Sequence, residues 1–203
     1  MVRQEAGMKT ELLPTEDDVY KMLKLTQLVL AKAGYDRYEI SNYAKPGYEC
    51  RHNIGYWTRE NYLGLGLGAA SLVDNVRYSN TRELHEYIEI CHDITILPPE
   101  VFAPEEGMAA PERNWFGSNL HTEASVVSRK GQMEEFMFLG LRMTGGISRN
   151  EFEHNFGMPI EAAYVQVLPE LQAQGLIEKR EGRIYLSDRG MDVANYVMAQ
   201  FLL

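Results

Sequence analysis

The chain is 203 residues long, 45% hydrophobic and formally −9 at pH 7. That length can bury the core of one large domain or, more in keeping with its pattern, two small ones. The acidity opposes general binding to a phosphate backbone, no apolar run approaches the ~20 residues of a membrane span, and the N-terminus lacks a secretory signal. A cytoplasmic protein without stable membrane insertion and without a nucleic-acid partner is therefore expected.

Thr15 followed by Asp18 has the form of a capping box, and Val19, Met22, Leu23, Leu30 and Ala33 recur at helical spacing before Gly34. The pattern predicts a helix over 15–33. Residues 35–40 alternate aromatic or aliphatic with charged side chains, as a short strand does. A helix running into a strand is the repeat of an α/β barrel or open sheet, whose ligands gather at the carboxyl ends of strands. The segment 41–56 leaves that end. Glu39, Asn42 and Lys45 lie beside it, where they either meet a ligand or stay solvated.

Within that segment, Cys50-Arg51-His52-Asn53-Ile54-Gly55-Tyr56 places a thiol, an imidazole and a phenol close together, the side chains that ligate or brace a haem iron. His52 is the candidate ligand; the bland alternative is a structural histidine bonded to a backbone carbonyl. Asn53 either orients the imidazole or pins the loop, and Tyr56 either packs on a porphyrin edge or does the same. Cys50 shares a face with His52 if the segment is extended, yet a plain thiol fits it as well. The spacing is not that of covalent haem attachment. Cys50 and Cys91 are the chain's two cysteines, far apart in sequence, and read as free thiols.

Gly64, Gly66 and Gly68 with Ala69 imitate a dinucleotide fingerprint, but the strand-like 71–78 follows where a helix should. These glycines serve close backbone approach, either to a ligand or to a neighbouring strand. Asn80 with Glu83 predicts the start of a helix running to about Cys91. Residues 98–130, rich in Pro, Gly, Glu and Ser, read as a linker or long loop docked by Trp115 and Phe116. From Glu134 the pattern is helical again: Phe136, Leu139 and Met143 share a face. Ser148 and Glu151 box a short helix to Phe156, Pro159 opens another to Gln174, and Gly175 stops it. A hairpin turned at Glu181-Gly182 and a final helix capped by Ser187 complete a winged-helix-like α+β domain. Its wing carries Lys179, Arg180 and Arg183, while the helix over 159–174 holds Glu161 and Glu170 and no Lys or Arg.

The string from Tyr38 through Lys45-Pro46-Gly47 to H-N-x-x-Y at 52–56, with Leu139-Gly140-Leu141-Arg142 later, resembles the radical-SAM, oxygen-independent coproporphyrinogen III oxidase-like family, and H-N-x-x-Y resembles its heme-chaperone branch. The resemblance implies a C-terminal part of a partial radical-SAM barrel over 1–97, the linker over 98–130 and the winged domain over 131–203. It implies haem bound at His52 and passed to an acceptor protein, with Gly68, Ala69 and Ala70 near S-adenosylmethionine. The family's [4Fe-4S] cluster is held by three cysteines spaced C-x-x-x-C-x-x-C, a run missing from this sequence, so this chain alone is expected to be inactive. The rival readings are an oxidase that decarboxylates coproporphyrinogen III propionates and a winged module binding nucleic acid or protein.

Overall fold

The computed structural model describes residues 13–93 and 120–203. They fall into two compact units, one ending at Cys50 and the other beginning at Arg51. Trp115 and Phe116 lie outside the described residues.

In the first unit, helix α1 (Glu16–Lys32) starts where its sequence asks. Thr15 Oγ1 accepts from Asp18 N, and the Asp18 carboxylate accepts from Thr15 N, each at 3.2 Å. Glu16, Asp17 and Asp18 in the first turn and Lys32 in the last complement the helix dipole. Beyond the helix, the strand expected over 35–40 shrinks to β1 (Asp36–Arg37), antiparallel to β2 (Tyr43–Ala44). Glu39 is fully buried in the turn between them, accepting from Ser41 N at 2.8 Å and Asn42 Nδ2 at 2.6 Å. Glu39 and Asn42 thus hold a turn instead of lining an open strand exit. Lys45 Nζ lies 5.4 Å from the Tyr35 ring centroid.

The second unit opens with a helix where an extended loop was expected: α2 (Arg51–Trp57). Next comes a sheet in the order β3-β4-β5, from β3 (Ala70–Val73), β4 (Val76–Asn80) and β5 (His121–Val126). The single strand read over 71–78 is thus a hairpin. Asp74 and Asn75 take φ of 48° and 63°, the left-handed pair of a two-residue turn whose twist matches its strands. Asn61 fastens that turn, its Nδ2 donating to Asp74 Oδ1 at 3.0 Å and its Oδ1 accepting from Asp74 N at 3.1 Å. β5 falls in the stretch read as linker. Asn80 ends β4 and does not cap α3 (Leu84–Asp93); upstream of the helix, Thr81 Oγ1 accepts from Glu83 N at 3.2 Å.

The remainder packs helices around a second antiparallel sheet. Ser128 caps α4 (Arg129–Gly140), and Ser148 caps α5 (Arg149–Phe156) by accepting from Glu151 N at 3.2 Å. The helix expected over 159–174 is broken into α6 (Ile160–Ala163) and α7 (Val167–Ala173). Tyr164, at the break, turns into the core with 1% exposure. β7 (Ile177–Arg180) and β8 (Arg183–Leu186) turn at Glu181 and Gly182, as expected, with φ of 51° and 72°. The sequence hid a third strand, β6 (Ile147–Ser148), which pairs with β8 to give the order β6-β8-β7. Gly146 permits that pairing: at φ 63°, a Cβ there would run into the Ile184 carbonyl oxygen. The end of the chain forms α8 (Asp188–Asp192) and α9 (Ala194–Ala199).

The core sits between these helices and the sheet. Phe152 packs 4.7 Å from Phe156 and 6.2 Å from Tyr164, which meets Phe201 at 5.1 Å, all between ring centroids. Met137, Leu141, Ile160, Leu168 and Ile184 are fully buried around them. Each such side chain contributes about 1.5–3 kcal/mol, which makes this cluster the natural anchor for what surrounds it.

Candidate functional site

His52 and Tyr56 are one helical turn apart on α2, so their side chains share a face. Their rings meet edge to face, with centroids 4.7 Å apart and planes at 80°. Tyr56 meets Tyr62 the same way, at 4.5 Å and 75°. The result is a three-ring ladder running from the solvent inward: His52 is exposed, whereas Tyr56 and Tyr62 are half-buried. Among the described residues, the His52 imidazole has no hydrogen-bond partner. Asn53 is half-buried one residue along the helix. Because helix begins at Arg51, the two-residue alternation that would bring Cys50 to the face of His52 does not apply. Cys50 and Cys91 are both free and exposed.

The chain reverses after α2 to bring Tyr62 under Tyr56. Arg59 sits at the reversal with φ 57°, a conformation an arginine adopts only when its surroundings hold it. The hold is electrostatic. Arg59 Nε donates to Glu135 Oε2 at 2.7 Å, Arg59 Nη2 to Asn75 Oδ1 at 3.1 Å, and Arg77 Nη2 to Glu135 Oε1 at 2.9 Å. The Arg59 and Glu135 side chains are 11% and 10% exposed, so solvent screens this pair little. Nearby, the Arg142 guanidinium lies 4.2 Å from the Trp57 ring centroid, a cation–π contact. Trp57 and Arg142 also line a cleft of about 330 Å³ with Phe138, Leu139, Met198 and Leu202. Through these contacts α2 is fixed to α4 and to the β3-β4 turn.

The glycine run is rigidly displayed. Asn80 Nδ2 donates to the carbonyls of Gly66 at 2.8 Å and Gly64 at 3.3 Å, and Gly64 N donates to Ser71 Oγ at 2.9 Å. A Cβ on Gly64 would strike the Ala70 carbonyl oxygen, so glycine is required by close backbone approach. With the backbone pinned, Leu63, Leu65 and Leu67 face solvent, Leu65 with 84% exposure. Gly68 N donates to Thr81 O and Asn80 N to Ala69 O, both at 2.9 Å, while Ala70 is exposed at the start of β3.

Asn80 also orders its other side. With its amide nitrogen given to two carbonyls, its Oδ1 must accept, and His121 Nδ1 donates to it at 3.0 Å. Burial lowers the His121 pKa by penalising the imidazolium. Sequence reasoning missed Tyr62, Arg59, Arg77, Glu135, Asn80 and His121 as parts of one assembly. Tyr62 lies six residues beyond Tyr56, off the helical period and past the end of α2, and Glu135 is remote in sequence from both its arginines.

The fold is that of a mixed α/β protein whose C-terminal region is a recognisable module: residues 127–193 match the HemN C-terminal domain. Over its whole length the chain is 36% identical to the Heme chaperone HemW of Lactococcus lactis, covering 46% of that protein. Over 94% of the chain it is 30% identical to the Heme chaperone HemW of Bacillus subtilis, covering 44% of it. Among solved structures, the coproporphyrinogen III oxidase HemN from Escherichia coli, described as a radical SAM enzyme, superposes on 96% of this chain with a TM-score of 0.65 at 15% identity, covering 43% of that protein. The chain belongs to the oxygen-independent coproporphyrinogen III oxidase-like family and matches the heme chaperones within it. It spans a little under half the length of these relatives.

Proposed function

We propose that this chain is the haem-holding C-terminal portion of a radical-SAM heme chaperone, with His52 as the iron ligand and the haem as cargo for an acceptor protein. The observation that carries this is the state of His52: exposed, free of hydrogen bonds among the described residues, and set in orientation by the Tyr56 edge. A ligand imidazole needs an available nitrogen, which an exposed ring free of protein hydrogen bonds offers, and the Tyr56 contact favours one ring orientation. Tyr56 and Asn53 support it, and the solvent-facing Leu63, Leu65 and Leu67 offer an apolar surface suited to a macrocycle. The family's names point the same way.

The residues present do not fit the family's [4Fe-4S] cluster. The chain has two cysteines, and among the described residues no group of three His, Cys, Asp or Glu is placed to hold a metal. Gly68, Ala69 and Ala70 remain our proposed edge of an S-adenosylmethionine site in the whole protein. The arrangement over 131–203, helices with a three-stranded sheet and hairpin, is read as a winged helix that presents a surface to the acceptor. Its cations argue against nucleic acid. Lys179 lies 3.6 Å from Glu161, Arg180 lies over the Tyr185 ring, and Arg183 donates to the Gly145 and Gly146 carbonyls at 2.7 Å. A cytoplasmic site of action accords with this reading; among the described residues no helix is long and apolar enough to cross a membrane.

Hemin titration tests the proposal. The protein should give a saturable Soret shift, and His52→Ala should weaken binding by about tenfold or more. An identical titration for the variant removes His52 as the ligand.

A further inference from the structure

We propose that Tyr62 is a positioning residue for the His52 imidazole, acting through Tyr56. The inference rests on the haem reading for its purpose, but its physical content concerns the ring ladder alone. An exposed histidine on a short helix is ordinarily free to change rotamer, and an imidazole that wanders is a poor axial ligand. Here the edge of Tyr56 constrains it, and Tyr56 is constrained in turn by Tyr62.

What distinguishes Tyr62 from a third loose ring is its footing. Tyr62 N donates to Leu72 O at 2.8 Å, and Leu72 N donates to Tyr62 O at 3.0 Å, a bridge that fastens it to β3. Leu72 is buried with 3% exposure. The neighbouring Asn61 grips the β3-β4 turn, and Arg59 fixes the reversal on the other side through Glu135. Tyr62 is therefore held from both directions by elements outside α2. Its ring transmits the position of the sheet to a helix of seven residues that is too short to be rigid alone.

The experiment uses the full chain with labelled histidine rings. In the wild-type protein, ring-proton Overhauser contacts should join His52 to Tyr56 and Tyr56 to Tyr62; if either is missing, the ladder does not exist in solution and the inference is overturned. Tyr62→Phe keeps the ring and should leave the His52 ring resonances, and the ferric electron-paramagnetic signal of the hemin complex, as in wild type. Tyr62→Leu keeps an apolar side chain without the ring and should shift both, with hemin bound about threefold more weakly. A Tyr62→Leu protein whose Leu72 and Val76 amides are unchanged and whose His52 resonances also stay put would sink the proposal. Should His52→Ala bind hemin as well as wild type, the haem reading falls by itself, because the hemin-free resonances still decide what Tyr62 does.

Discussion

Arg59 and Glu135, far apart in the sequence, form a 2.7 Å ion pair with both side chains about nine-tenths buried, and this pair holds the strained reversal that carries the chain from α2 to Tyr62. Arg77 completes the carboxylate's coordination at 2.9 Å from a more exposed position. The pair thus joins the candidate ligand helix to α4. Its neighbours turn that geometry into measurable expectations.

Removing the carboxylate should be costly. Glu135→Ala leaves Arg59 buried without its partner and frees a backbone that disfavours its own φ, so a loss of about 2–4 kcal/mol is expected in urea unfolding. Glu135→Gln, which can still accept from one arginine, should lose less. Equal stability of Glu135→Ala and wild type would show that the pair is not holding the reversal.

Asn80 should matter through three bonds at once. Asn80→Ala removes the bonds to the Gly64 and Gly66 carbonyls and to the His121 ring nitrogen, and should cost about 2–3 kcal/mol. Amide exchange of Gly66 and Leu67 should accelerate in the same variant. Unchanged exchange there would mean that the glycine run is pinned by something else.

Stability should fall on acidification because of His121. Burial lowers its folded pKa, so the unfolded chain binds the proton more tightly. The contribution is complete above the unfolded value of about 6.5 and declines as the pH drops through that value toward the lowered folded one. His121→Gln, whose amide can still donate to Asn80, should flatten the slope of stability against pH in that window. A slope as steep as wild type would acquit His121.

Gly146→Ala should destabilise the C-terminal sheet by about 2 kcal/mol or more, since it combines a left-handed φ with a clash against the Ile184 carbonyl. The β6 amides should lose protection before those of α4. A neutral substitution would mean that β6 can shift without penalty.

The signals legible in the residue order are local. Thr15 with Asp18, Ser148 with Glu151 and Glu181-Gly182 have their partners within a few residues; the first forms its full box, the second the Ser148 cap, and the third its turn. Asp74-Asn75 is equally local, a left-handed pair between strand-forming residues, but the apolar alternation runs straight through it and masks the turn. The helix expected over 159–174 breaks one turn before Pro169, which has no N–H to give the backbone ladder, and Tyr164 at the break packs against Phe152 and Phe201.

By itself the sequence determined the caps at Thr15, Ser148 and Ser187, the C-terminal hairpin, the family and the presence of His52 and Tyr56, because those depend on short-range spacing or on a recognisable string. The tertiary structure alone decided that Tyr62 stands under Tyr56, that Glu135 receives Arg59 and Arg77, and that Asn80 ties the glycine run to His121. Such partnerships are selected by which surfaces exclude water together, and nothing in the order of residues along the chain encodes that choice directly.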